Sequence, residues 1–67
     1  MRKEIIERYL IKEPEGKSAW DIHQDLRKIF AYETIRKILI DLHTKGFVTK
    51  SKIGKKVVWT HIVNKNG

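Results

Sequence analysis

Two groups of side chains in this sequence are of kinds that grip a polyanion. The first is Tyr32, Glu33, Arg36, Lys37, Ile40 and Thr44. Arginine can hold guanine O6 and N7 with both prongs of its guanidinium, and lysine does similar work less rigidly. Glu33 can accept from cytosine N4 and Ile40 can touch a thymine methyl, while Tyr32 and Thr44 can hydrogen-bond phosphates at either end of the segment. The second group is Lys50, Lys52, Lys55 and Lys56. Lysines on a hairpin guard against edge pairing, but this density exceeds that need and points to phosphate or minor-groove contact.

Other chemistry finds less support. His23, His43 and His61 fall in three different segments without partner cysteines, whereas a zinc site wants three or four converging ligands. They read as surface histidines. Asp41 and His43 are two residues apart on a helix and do not share a face. The few carboxylates lie mostly in the N-terminal half, and Ser18 has a simpler role as a helix cap. A three-helix core of this size has little room for a substrate cavity. No catalysis, cofactor, metal or small-molecule ligand is expected.

The elements that must position these side chains can be read in order. Ile5, Ile6, Tyr9 and Leu10 keep helical spacing from Arg2 to Lys12, and Pro14 ends that helix because a residue before proline avoids the helical region. Residues 13 to 17 form a turn. Ser18 before Ala19, Trp20 and Asp21 is a capping pattern, followed by an apolar stripe of Ala19, Ile22, Leu26, Ile29 and Phe30. With no glycine or proline nearby, Ala31 is the expected bend. Ile35, Ile38, Leu39 and Leu42 lie along one stripe of a third helix over about 32–45, so Glu33, Arg36, Lys37, Ile40 and Thr44 face away from it. Gly46 sits where a left-handed residue commonly ends a helix. A hairpin over about 47–63 follows: a strand from Phe47 to Lys52, a turn over residues 53–56, and a β-branched strand from Val57 to Val63. Which face of that second strand is buried stays open, since Val57, Trp59 and Val63 compete with Val58 and Ile62.

Composition narrows the partner. The 67 residues carry a net charge of +7. Residues 1–26 hold five basic and six acidic side chains, whereas 27–67 hold ten basic and two acidic, with none acidic after Asp41. That asymmetry favours nucleic acid over a membrane surface, because the basic half is not one amphipathic helix. Without cysteine there is neither a disulfide framework nor a thiolate site, so a reducing compartment is expected. No apolar run approaches the roughly 20 residues that span a bilayer, and the charged N-terminus is unlike a signal peptide, so a soluble cytoplasmic protein is expected. Eleven Lys and ten Ile against one Gln and two Asn resemble hyperthermophile usage and favour a thermophilic or archaeal viral source.

A helix with a basic outer face that ends in Lys-Gly-aromatic-Val resembles the recognition helix and first wing strand of the winged helix-turn-helix family. The matching residues are Thr34-Ile35, Leu39, Leu42, Lys45-Gly46 and Phe47-Val48, with Lys55-Lys56 like a wing tip, and the likeness runs from Lys3 to Val63. The resemblance implies an α+β fold over 1–67, three helices followed by a two-stranded wing, and a small transcriptional regulator binding double-stranded DNA through helix 3 and the wing. It also implies a short extended segment near Lys17 that joins the wing sheet, and homodimers formed through helix 1 or the termini. Ile11, Trp20 and Ile40 lie off the main stripes and are available for such a partner surface. A Z-DNA-binding winged domain is similar at Gly16-Lys17 and Trp59, but this chain has Arg36 and Ile40 in place of that domain's asparagine and tyrosine and lacks its wing prolines. The alternatives are a protein-interaction winged helix and an RNA-binding or Z-DNA-binding one, since a fold alone does not dictate function.

Overall fold

The computed structural model describes residues 2–62. Three helices, α1 (Arg2–Ile11), α2 (Ala19–Leu26) and α3 (Tyr32–Thr44), precede an antiparallel hairpin of β1 (Val48–Ile53) and β2 (Lys56–His61). This is the α+β winged-helix order that the sequence implies.

One cluster buries the apolar stripes of all the elements: Ile6 and Leu10 from α1, Ala19 and Ile22 from α2, Ile35, Leu39 and Leu42 from α3, then Phe30, Val48 and Trp59. Two of the expected stripes are narrower than their periodicity suggests. Ile5 on α1 is exposed, because Ile6 and Leu10 already fill the one side of that helix that meets the bundle. The helix α2 stops at Leu26, and the amides of Ile29 and Phe30 both donate to the Leu26 carbonyl in a tight turn. That turn rotates Ile29 out to 52% exposure while Phe30 becomes a buried plug between helices. The Tyr9 hydroxyl donates to the Asp25 carboxylate, which braces α1 against α2.

Local chemistry sets the helix ends. Ser18 caps α2 from an extended backbone, its hydroxyl accepting from the Asp21 amide at 3.1 Å. Ala31 is the extended residue before α3, as expected, and it offers no side-chain cap. At the far end, Gly46 at φ +84 lets the Phe47 amide reach the Leu42 carbonyl at 2.9 Å and the Gly46 amide reach that of His43 at 3.1 Å. These two bonds satisfy carbonyls that a helix end leaves bare and turn the chain directly into β1.

The hairpin is paired further out than its residue types suggest. Val48 faces His61, Lys50 faces Trp59, and the ladder continues to Ile53 and Lys56, so only Gly54 and Lys55 form the turn. A two-residue hairpin turn of this kind takes a first residue with positive φ, and Gly54 supplies it at +63. At the other end the Ile62 amide donates to the Phe47 carbonyl and extends the pairing by one step. Trp59 lies on the buried face, while Val57 on the same face is exposed because the hairpin there projects past the helices. Val63 lies outside the described residues.

The link between α1 and α2 is bound to this hairpin. Lys17 and Trp59 exchange backbone hydrogen bonds of 3.0 and 2.9 Å, adding a single antiparallel bridge to the sheet as the family resemblance implies. Gly16 makes the approach possible: a Cβ there would stand 2.5 Å from Thr60 Oγ1 and 2.6 Å from Val58 Cγ1, with φ at +87. Gly46 and Gly54 have the same hand of backbone but open space around them. Gly16→Ala should therefore cost about 3 kcal/mol or more from backbone strain and overpacking together. Gly46→Ala and Gly54→Ala should each cost about 1 kcal/mol from the left-handed backbone alone. Urea midpoints of the three variants check the ranking, and an equal loss in all three would contradict the close approach at Gly16.

Candidate nucleic-acid interface

Thirteen residues of α3 give it two sides. Ile35, Leu39 and Leu42 are buried, and Tyr32, Glu33, Arg36, Lys37, Ile40 and Thr44 are all exposed. The wing lysines Lys50, Lys52, Lys55 and Lys56 are exposed as well. Folding divides these residues rather than gathering them all. Tyr32, Arg36 and Ile40 line a groove of 540 Å³ whose opposite wall carries Lys50, Lys55 and Lys56. Glu33, Lys37, Thr44 and Lys52 are not part of that lining.

Side chains that the helix periodicity does not single out complete the groove. Trp20, Val57 and Trp59 supply its apolar surface, and Ser18 and Ala19 close one end. Trp59 is the base of the wing: its ring is buried, the His43 ring meets it edge-on at 6.0 Å, and Lys50 Nζ lies 5.6 Å over it. A cation over an indole face is held by the ring quadrupole, so Lys50 is steered toward the groove. Trp20 is the off-stripe aromatic of the sequence; it lines the groove together with residues of α3, and Ile11 is not in the lining.

The groove walls bear cations and no carboxylate. One of the lining lysines, Lys56, ion-pairs with Asp21 at 3.4 Å and ties the wing tip to the first turn of α2. The Asp21 carboxyl is held below the usual range, first by the Ser18 hydroxyl and then by Lys56 and Lys17, against partial burial. Both partners are well exposed, so the pair itself contributes little to stability. Its consequence is positional: Lys56 is not free in the isolated protein.

The histidines serve packing. His23 sits between Trp20, 6.4 Å away between ring centres, and Tyr32, which it meets edge-on at 5.8 Å. His43 is exposed, in line with a surface reading, but the side chain of His61 is only 15% exposed and its Nε2 lies 3.6 Å from Glu7 on α1. A strand position at the wing base, where β2 crosses α1, encloses it. No group of three or more His, Cys, Asp or Glu that could hold a metal occurs among the described residues. Likewise, no helix among them is long and apolar enough to cross a membrane.

A helix–turn–helix whose third helix exposes Arg36 and Lys37, followed by a lysine-bearing hairpin, is the winged-helix arrangement. The model of the penicillinase repressor family matches residues 3–67, and the chain belongs to that family, one of winged-helix DNA-binding repressors rather than enzymes. Comparison with curated proteins and with solved structures gave no match.

The Asp21 environment can be checked directly. Since its folded pKa lies below the unfolded one, the stabilisation is present at neutral pH and is lost as pH falls through the folded value, below the ordinary carboxylate range. In an NMR titration of the Asp21 carboxyl carbon, Ser18→Ala should raise the midpoint more than Lys56→Ala does. The reverse order would make the wing contact, not the cap, the main cause.

Proposed function

We propose that this chain is a transcriptional regulator that lays α3 in the major groove of double-stranded DNA and rests its wing lysines on the backbone or in the minor groove. The observation that carries the reading is the facing of Arg36 and Ile40 on α3 with Lys50 and Lys55 on the wing across one groove free of carboxylates. In this arrangement Arg36 reads a base edge, and Glu33, Lys37 and Ile40 extend the contact along the outer face of α3. Tyr32 and Thr44 hold phosphates at its ends, and Lys50, Lys52, Lys55 and Lys56 supply attraction that does not depend on sequence. Lys56 must leave Asp21 to reach a phosphate, so the carboxylate acts as a competing anion. Homodimer formation belongs to the same proposal. Its support is Ile5 and Ile11, exposed apolar residues on α1 of a domain too small to bury much surface alone.

Four measurements test the parts separately. Arg36→Ala should cost about 1 to 3 kcal/mol on a selected site and much less on random duplex, with Arg36→Lys recovering only part. Equal losses on both would reassign Arg36 to the backbone, and no loss on either would favour the protein-interaction alternative. Replacing Lys55 and Lys56 together by alanine should weaken both duplexes alike and flatten the salt dependence by about 0.9 log units per lost phosphate contact. Asp21→Asn should raise duplex affinity by up to about fivefold, the scale of one exposed ion pair; unchanged affinity would mean that Lys56 does not reach DNA. For assembly, sedimentation equilibrium at high micromolar concentration should give twice the 8.0 kDa chain mass, and a monomer would remove that part of the proposal.

A further inference from the structure

The groove between α3 and the wing contains a feature that duplex reading leaves unused. Trp20, on the first turn of α2, is 61% exposed, the most exposed of the tryptophans and tyrosines whose exposure is described. Its indole is not loose: it leans on His23, which is in turn braced by Tyr32. A large aromatic side chain is thus held out to solvent with a tilted and then an edge-on ring contact behind it, in the same groove as Ile40 and Val57. Exposing so much apolar ring surface runs against the hydrophobic effect, and something flat and aromatic would cover it best.

We propose that this groove binds one unpaired nucleotide unit, its base stacked on Trp20 and its phosphate held by Arg36 and Lys55. Base and phosphate chemistry are both called for. A base within a duplex has its two faces covered by its neighbours, so only an unpaired one can lie on the indole. The cations decide the rest: Arg36 and Lys55 make no ion pair among the described residues, and no carboxylate is in the groove lining, Asp21 being paired with Lys56. At 540 Å³ the groove falls within the size range of small-ligand sites. An acidic peptide would satisfy the cations but leave the indole bare, which is why a nucleotide is the better match. The same unit can come from a single strand or from a free nucleotide. Because Arg36 and Lys55 serve both sites, either source competes with duplex, yet the inference does not rest on duplex binding.

The test uses the intact chain with three probes: oligothymidylate about ten nucleotides long, within the site sizes of single-strand binders, thymidine monophosphate alone, and random duplex. Oligothymidylate or the monophosphate should quench Trp20 emission, and Trp20→Ala should weaken that ligand at least about fivefold, the low end for one stacked base. Trp20→Phe should recover most of the affinity, and the loss of Trp20→Ala on random duplex should be smaller than its loss on the nucleotide probe. Trp59, being buried, remains in Trp20→Ala as a check that the fold is intact. Saturable binding of the monophosphate that displaces the oligonucleotide identifies a free nucleotide as the source, and binding of the strand alone identifies the strand. Single-strand binding that ignores Trp20→Ala, or none by either nucleotide probe, overturns the proposal even if duplex is bound. Trp20-dependent binding without duplex affinity upholds it and removes the duplex reading instead.

Discussion

The backbone pair between Lys17 and Trp59 is the contact on which the arrangement of the wing depends. A two-stranded hairpin alone is marginal in water, and this one carries only two buried side chains, Val48 and Trp59. The bridge from the α1–α2 link gives β2 a partner on its second edge, while the indole of Trp59 enters the same core as Leu39 and Leu42. Both effects require that the backbone at residue 16 come within reach of Val58 and Thr60, which is a matter of having no Cβ. One glycine, one tryptophan and two hydrogen bonds thereby decide where the lysines of the wing stand relative to α3.

Charge is arranged on that frame at some cost to compactness. The second half of the chain has ten basic side chains and two acidic ones, so the groove faces carry repulsion that the fold must tolerate. Apolar contact below the charges offsets it, with Lys50 drawn over the Trp59 ring and Lys56 drawn to Asp21. Both attachments hold exposed lysines, one over the buried Trp59 ring and one on a partly exposed carboxylate, where an ion pair contributes little. Two further contacts, Tyr9 on Asp25 and the enclosed His61 beside Glu7, lie outside the groove lining and join α1 to α2 and to β2.

Much of this was legible in the residues because each helix announces its ends. Pro14, Ser18 and Gly46 mark boundaries by backbone chemistry that tertiary structure does not override, and the stripe of α3 separates the core from the exposed face cleanly. The reading weakens where periodicity continues past the element that carries it. Ile29 keeps helical spacing with Leu26, but two amides share one carbonyl there and the chain has already left the helix. Ile53 and Lys56 look like turn residues by their neighbours, yet a two-residue turn at Gly54 leaves them paired. The groove was the least accessible, since its walls come from α2, α3 and the hairpin, and no local pattern records that Trp20 and Lys50 will border the same space.

The division of α3 by that groove bears on how such a domain can be selective. Arg36 and Ile40 look toward the wing, so their freedom to reach outward depends on what the lysines opposite are bound to. Glu33 and Lys37 are exposed and are not part of the groove lining. The Asp21–Lys56 pair therefore belongs to the groove side of α3 through Lys56, and not to the side that carries Glu33 and Lys37. On the proposed DNA-binding reading, selectivity lost in Arg36→Ala should vary with salt more than selectivity lost in Lys37→Ala when both are measured by duplex titration at several salt concentrations, because salt loosens the tip contact that borders only the former.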